Sequence, residues 1–387
     1  MKVLFIYVLL YFTVLKASSQ TNAELSNLLA QNKLAEVVSK GENMSSNSMA
    51  TVETYIFICR AYRLLNNWDK VEVNMQKAKT ANNKWPDVYY EMGCYYEHIG
   101  VMELAKSNFL ECIELSKSVQ HYEAELGYSR ILINEGFANE ALSRLNLIKT
   151  NNLTPEYYRL MAIALCNTAQ HEKAILNFQK LEGMPNAPVL TEEELLLKAF
   201  AYMKTDNFQN SLKTYFVLDQ MKVENPAYLI DMANIYKSLK DYAKQAECLE
   251  LYFKKGGKYS LSLLFEHGKV YYLLENYDKA DSVFNVMSQE YPTVYFGNLW
   301  SARCILKQDH QGANEKALTL YLGVISKIGE NTEKYKKDYI EANHFIAYYY
   351  FSTKPDLAKS KIYWNNILKV DPENDAAKQA IAAIEDN

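Results

Sequence analysis

Apolar residues recur along this chain at intervals of three and four, the spacing that gathers them onto one stripe of a helix. Between Val52 and Trp85 the sequence "VETYIFICRAYRLLNNWDKVEVNMQKAKTANNKW" holds two such stripes joined by a short polar hinge. The block from Pro86, "PDVYYEMGCYYEHIGVMELAKSNFLECIELSKSV", repeats the arrangement. Tyr55 and Tyr89, Tyr62 and Tyr96, and Ala78 and Cys112 each stand 34 residues apart. Further copies begin near Tyr122, Pro155, Glu192, Pro226, Leu261, Tyr295 and Glu341, at intervals of 33 to 37 residues until a longer last one. A period of this length with two helical stripes predicts an all-α fold of antiparallel helix hairpins, each stacked on the next.

The hinges share a pattern: "NWDKV" at Asn67, "NFQNS" at Asn207, "DYAKQ" at Asp241 and "NYDKA" at Asn276. The aromatic (Trp68, Phe208, Tyr242, Tyr277) reads as the filler of the wedge at the closed end of each hairpin, and His171 takes the same place. Small residues fall where two backbones must approach. These are Gly93, Ala162, Ala199, Ala233, Gly268 and Ala347 on first helices, with Ala105, Ala141, Ala174 and Ala280 on second helices. Pro86, Pro155 and Pro226 open repeats, where a helix tolerates the missing N–H, whereas Pro292 and Pro372 close them. "TEEE" at Thr191 has the spacing of a capping box. The last copies depart from the pattern: the hinge "KQDHQGANEKA" is expanded, and "SKIGENTEKYKKD" reads as an extension of the helix after it. The closing "NDAAKQAIAAIEDN" suits a capping helix over 376–387.

Composition narrows the class. With 387 residues, 49% of them hydrophobic, and only 13 Gly and 8 Pro, the chain suits long helices rather than a turn-rich β fold. A formal charge of −4 argues against a nucleic-acid partner. The start, "MKVLFIYVLLYFTVLKASSQ", has a basic residue, a 13-residue apolar run and small residues before a cleavage point after Ser19. It is expected to be a signal peptide over 1–19 whose loss takes the formal charge from −4 to −6, because Lys2 and Lys16 leave with it. The mature chain is then expected to be exported, periplasmic or extracellular, with no membrane span. Six cysteines without metal-ligand spacing are expected to be buried free thiols.

The block from Leu261 sets Gly268, Tyr271, Ala280, Phe284 and Pro292 at fixed offsets, and the block from Pro86 sets Tyr89, Gly93, Tyr96, Ala105 and Phe109 likewise. On these residues the chain resembles the tetratricopeptide-repeat family, over nearly all of 20–375. About ten hairpins are counted, with a degenerate one near residues 22–48. The last section, from "GNLW" through "IYWNNILKVDPEN", is also similar to exported repeat proteins of Bacteroidetes-type bacteria. The resemblance implies a right-handed α-solenoid whose first helices line a concave face that binds a protein or peptide. Carried onto this chain, the family's groove positions imply Arg60, Arg63, Arg130, Arg159, Lys204, Lys237, Lys269, Arg303 and Lys307 as its cations. Tyr90, Phe200, Phe265, Tyr272, Phe345, Tyr348 and Phe351 are implied as its aromatics, and Glu97 as an acid among them. Such a groove suits an extended acidic segment; the competing reading pairs these cations with neighbouring helix-start acids.

Chemistry is expected to be absent. The six histidines show no paired-ligand spacing, no phosphate loop or nucleophile elbow occurs, and "KKGGK" at Lys254 reads as a turn. No enzyme activity, cofactor or metal is therefore expected. Alternatives to the protein-binding scaffold are glycan binding through tyrosine stacking, and a structural subunit of an envelope-assembly or secretion complex.

Overall fold

The computed structural model describes residues 19–117, 119–149, 153–308 and 312–385; most of the expected signal peptide, His310 and part of the expanded hinge lie outside them. Regular structure among the described residues is helical. The chain divides into two compact units, one ending at Asn207 and the other starting at Phe208. In the first unit, α1 covers residues 19–30, followed by α2 (Leu34–Ser46), α3 (Val52–Leu64), α4 (Trp68–Ala81), α5 (Pro86–His98), α6 (Met102–Leu115), α7 (Tyr122–Asn134), α8 (Ala138–Asn146), α9 (Pro155–Asn167), α10 (His171–Glu182) and α11 (Glu192–Lys204). The second contains α12 (Phe208–Gln220), α13 (Tyr228–Ser238), α14 (Tyr242–Lys254), α15 (Leu261–Leu273), α16 (Tyr277–Glu290), α17 (Phe296–Gln308), α18 (Ala313–Ile328), α19 (Lys336–Tyr348), α20 (Leu357–Val370) and α21 (Asp375–Glu385).

Within each unit consecutive helices pack as hairpins: α3 on α4, α5 on α6 and α9 on α10 in the first, α13 on α14, α15 on α16, α17 on α18 and α19 on α20 in the second. First helices also touch the next first helix, α3 with α5, α5 with α7, α7 with α9, and α15 with α17. The α-solenoid hairpins expected from the period are therefore present.

Each hinge follows one recipe. Asn66, Ala169, Asp206, Lys240 and Glu275 take φ between 55° and 59°, the place that Gly100 and Gly136 occupy at 78° and 86°. That left-handed residue reverses the chain, and where Asn67, Asp241 or Asn276 follows it, that side chain caps the second helix. Asn67, Asp241 and Asn276 accept through a side-chain oxygen from the backbone N–H of Lys70, Lys244 and Lys279 at 3.2–3.3 Å. The aromatic of the motif is thus the first residue of a capped helix. Its ring is half-buried: Trp68 stacks on His98 at 4.0 Å, Tyr277 meets Tyr272 edge-on at 5.3 Å, and His171 meets Phe200 edge-on at 5.8 Å.

Between the helices of a hairpin the fit is tight. The ten small residues expected at the approaches are all buried. A Cβ on Gly93 would stand 2.6 Å from ring carbons of Phe109, and one on Gly127 would stand 2.7 Å from the same ring. Phe109 is fully buried, so one side chain of α6 fills the space that two glycines of α5 and α7 leave open. Gly268 and Phe284 repeat the arrangement in the second unit, with a Cβ 2.7 Å from the ring. Five of the six cysteines are buried, and all six are free.

Three expectations are corrected. Pro86 and Pro155 do open α5 and α9, but Pro226 lies in the turn before α13, where its carbonyl accepts from Leu229 at 2.9 Å. The stretch "SKIGENTEKYKKD" does not prolong α18: Gly329, at φ 55° and ψ −125°, ends it. The last first helix then starts at Lys336, earlier than Glu341, and Lys336 ties it to Asp371 at 3.4 Å. Helix α21 covers the end, its Ala377, Ile381 and Ile384 packing with Trp364 and Ile367. Among the described residues no helix is long and apolar enough to cross a membrane.

Replacing a helix-interior glycine by alanine ordinarily gains about 1 kcal/mol. At Gly93 the added methyl meets a ring that cannot move aside, and overpacking of this kind costs about 1–3 kcal/mol. Gly93→Ala is expected to lower the urea midpoint, and Phe109→Leu in the same chain to recover part of the loss; a midpoint that rises in the single variant would contradict the packing.

Candidate functional site

The candidate residues sit on first helices. Arg60 and Arg63 belong to α3, Tyr90 to α5, Arg130 to α7, Arg159 to α9, and Phe200 and Lys204 to α11. In the second unit Lys237 lies on α13, Lys269 and Tyr272 on α15, and Arg303 and Lys307 on α17. Every first helix shown to touch the next contributes to a shared face, because adjacent helices pack 8–10 Å apart and side chains on the same stripe then meet.

Most of the arginines are already engaged. Arg60 pairs with Asp87 and, at 3.1 Å, with Glu91, whose other oxygen takes Arg63 at 3.1 Å. Arg130 grips Glu97 through two parallel bonds of 2.7 and 2.8 Å and reaches Glu156 at 2.9 Å, so it joins α5, α7 and α9. Arg159 Nε stands 2.6 Å from Glu194 without directing its N–H along the bond, a contact more Coulombic than hydrogen-bonded. In the second unit Lys237 pairs with Glu266 at 2.7 Å, and Arg303 binds Glu341 at 2.5 and 2.9 Å and Asp338 at 3.4 Å. Asp87, Glu156, Glu194 and Asp338 lie in the first turn of a neighbouring first helix, where a carboxylate also meets the positive end of the dipole.

The electrostatics follow. Hydrogen bonds from Arg130 to Glu97, set against burial, leave its pKa above the ordinary arginine value. Burial by itself would raise the carboxyl of Asp87; the hydrogen bond with His121 and the charge of Arg60 overcome it and hold the pKa low. At Glu125 burial prevails: it pushes the carboxyl up although the charge of Arg144 at 4.0 Å and a hydrogen bond with Gln120 oppose it.

Other cations remain exposed. Lys204 lies over Phe200 at 5.0 Å and Lys269 over Phe265 at 5.9 Å, and Lys307 is exposed. Trp300, absent from the expected set, is central to the second unit's face. Phe265 and Tyr272 meet it edge-on at 5.6 and 5.2 Å, and the Arg303 guanidinium lies 4.6 Å over its ring. A repeat offset could have found it, since it follows Phe265 by 35 residues. Among the described residues no group of three His, Cys, Asp or Glu could hold a metal.

His267 of α15 is 5% exposed between the rings of Phe253 (5.5 Å) and Tyr271 (4.9 Å), and burial lowers its pKa from 6.5 to about 4.

Residues 86–118, the α5–α6 hairpin, match the family model for a tetratricopeptide repeat, which upholds the resemblance drawn from the sequence. The chain is 25% identical to the C-terminal part of a repeat-containing protein from Cytophaga hutchinsonii, covering 66% of this chain and 99% of that one at a TM-score of 0.49. A structure of Naa15/Naa10 bound to HypK-THB is 12% identical over 95% of this chain and 60% of that chain, TM-score 0.37. The pilF protein of Pseudomonas aeruginosa is 15% identical over 65% and 95%, TM-score 0.31. No curated protein matches.

Removing Arg130 leaves two half-buried carboxylates without their partner. Arg130→Met is expected to cost about 1–3 kcal/mol by urea denaturation, whereas Lys204→Ala stays within about 0.5 kcal/mol. Equal effects would mean that the arginine pairs do not hold the stack. Because His267 titrates lower when folded, only the unfolded chain gains a proton between pH 6.5 and 4. Stability is therefore undiminished by this group above pH 6.5 and falls below it, by up to about 3 kcal/mol, and His267→Leu is expected to flatten that part of the stability–pH curve.

Proposed function

We propose that this chain is a non-enzymatic scaffold that binds a protein or peptide partner along the faces of its first helices. What carries the reading is the run of half-exposed rings in the second unit: Phe265 and Tyr272 on α15, Trp300 on α17, and Phe345 and Tyr348 on α19. Trp300 touches both rings of α15, and Arg303 links it to Glu341, which also accepts from Tyr321 beside Phe345. Aromatic rings that are amphipathic and have few rotamers suit partner recognition. The pairing of Arg60, Arg63, Arg130, Arg159 and Arg303 transfers the electrostatic part of binding to Lys204, Lys269 and Lys307, with Tyr90, Phe200 and Lys237 on the same kind of face. A leader over 1–19 would deliver the scaffold to the periplasm or beyond.

A second reading, a subunit of a larger assembly, is favoured by the hinge edge of the first unit. There Leu64, Leu65, Ile99, Met102 and Phe137 are 40–58% exposed at the closed ends of three consecutive hairpins.

Affinity capture from envelope extract separates these readings. Lys204→Glu, Lys269→Glu and Lys307→Glu in one chain are expected to lose partners that wild type retains, with helical circular dichroism intact and capture weakening as salt rises. Unchanged capture, with loss on Leu65→Glu and Met102→Glu, would replace the face by the edge. Capture of glycans that is indifferent to salt would replace protein binding altogether.

A further inference from the structure

Along α19 Lys337, Glu341, His344 and Tyr348 follow one another at helical spacing. With Ile340, Phe345 and Tyr321 of α18 they line an open recess of about 490 Å³. Its charges are unequally compensated. Glu341 is held by Arg303 and by the hydroxyl of Tyr321 at 2.9 Å, so its charge is spent inside the fold. His344 lies edge-on to Trp364 at 5.0 Å. Lys337 is exposed and forms no ion pair among the described residues. Past the helix, a π-helical turn at Tyr349–Thr353 buries Tyr349 to 4% exposure and leaves Tyr348 and Phe351 at 57% and 38%. Neighbouring rings are half-buried: Phe345 lies 4.8 Å from Tyr321, and Tyr350 stacks on Tyr363 at 6.2 Å. The recess therefore has an apolar floor, an exposed aromatic lip and one uncompensated cation. Turns of this widened kind are frequent at functional sites.

We infer that this recess receives a bulky apolar side chain of a partner polypeptide that carries an acidic residue close by in its own chain. The apolar group seats on Ile340, Phe345 and Tyr348, and the carboxylate pairs with Lys337. From Lys337 to that seat is three to eleven residues of helix, about 5–16 Å. An extended partner spans this distance in about two to five residues. The inference rests on the scaffold reading and names the partner's chemistry at one point of its surface.

The test uses the full chain and amidated, fluorescein-labelled Gly-Ser peptides with one Phe three residues from one Asp, read by fluorescence anisotropy. The Asp peptide is expected to bind about tenfold tighter than its Lys counterpart. Lys337→Glu reverses that preference, and Tyr348→Ala weakens both peptides. Binding that ignores the peptide's charge, that survives Lys337→Glu unchanged, or that is absent for every peptide overturns the assignment. If it is overturned while capture still depends on Lys204, Lys269 and Lys307, the scaffold reading stands without this recess.

Discussion

One ring standing where two methyl groups would otherwise be governs the first unit's geometry. Phe109 of α6 occupies the space over Gly93 and Gly127, so α5 and α7 approach it without side chains of their own in the way. Two helices of a hairpin cannot cover both apolar sides, and the exposed side is stable only against the next hairpin. Close approach at such points brings consecutive first helices together. Phe284 over Gly268, stacked in turn with Trp300 of α17 at 5.6 Å, does the same in the second unit.

That spacing decides the fate of the charges. An arginine has the length to cross from one first helix to the next, and its planar fork suits a carboxylate held there. Arg130 spans three helices in this way, and Arg60 with Arg63 share Glu91. The competing reading of the basic face, in which cations pair with neighbouring acids, therefore describes the arginines and Lys237, while Lys204, Lys269 and Lys307 keep the exposure that partner binding requires. Within each unit the first-helix faces thus serve two purposes: paired cations hold repeats together, and Lys204, Lys269 and Lys307 stay in water.

The hinges show the same economy. A non-glycine residue in the left-handed region costs about 1 kcal/mol, yet Lys240 and Glu275 take it where Gly100 and Gly136 also stand. The side-chain cap that follows at Asp241 and Asn276 supplies compensation of similar size. The glycine hinges lead into Val101 and Phe137, which lack a capping side chain. Cap and glycine are thus two solutions to one reversal, while the hinge of Ala169 and Gln170 uses neither.

Periodicity alone determined the helices, the hairpin order, the small residues at the approaches and the aromatic at the hinge, because each depends on neighbours a fixed number of residues away. The candidate residues came instead from the family resemblance, whose groove positions fall on first helices. Trp300 shares Phe265's phase yet was passed over, since an offset of 35 residues in a degenerate copy is visible only once both rings are seen to touch. The start of α19 was misplaced because Gly329 ends α18 by its backbone conformation, which no apolar spacing records. Which cations were neutralised, where the chain divides into two units and which recess keeps an unpaired lysine were decided by tertiary structure. Those outcomes depend on side-chain reach between helices whose partners lie 26 to 38 residues apart, and that reach is a property of distance in space.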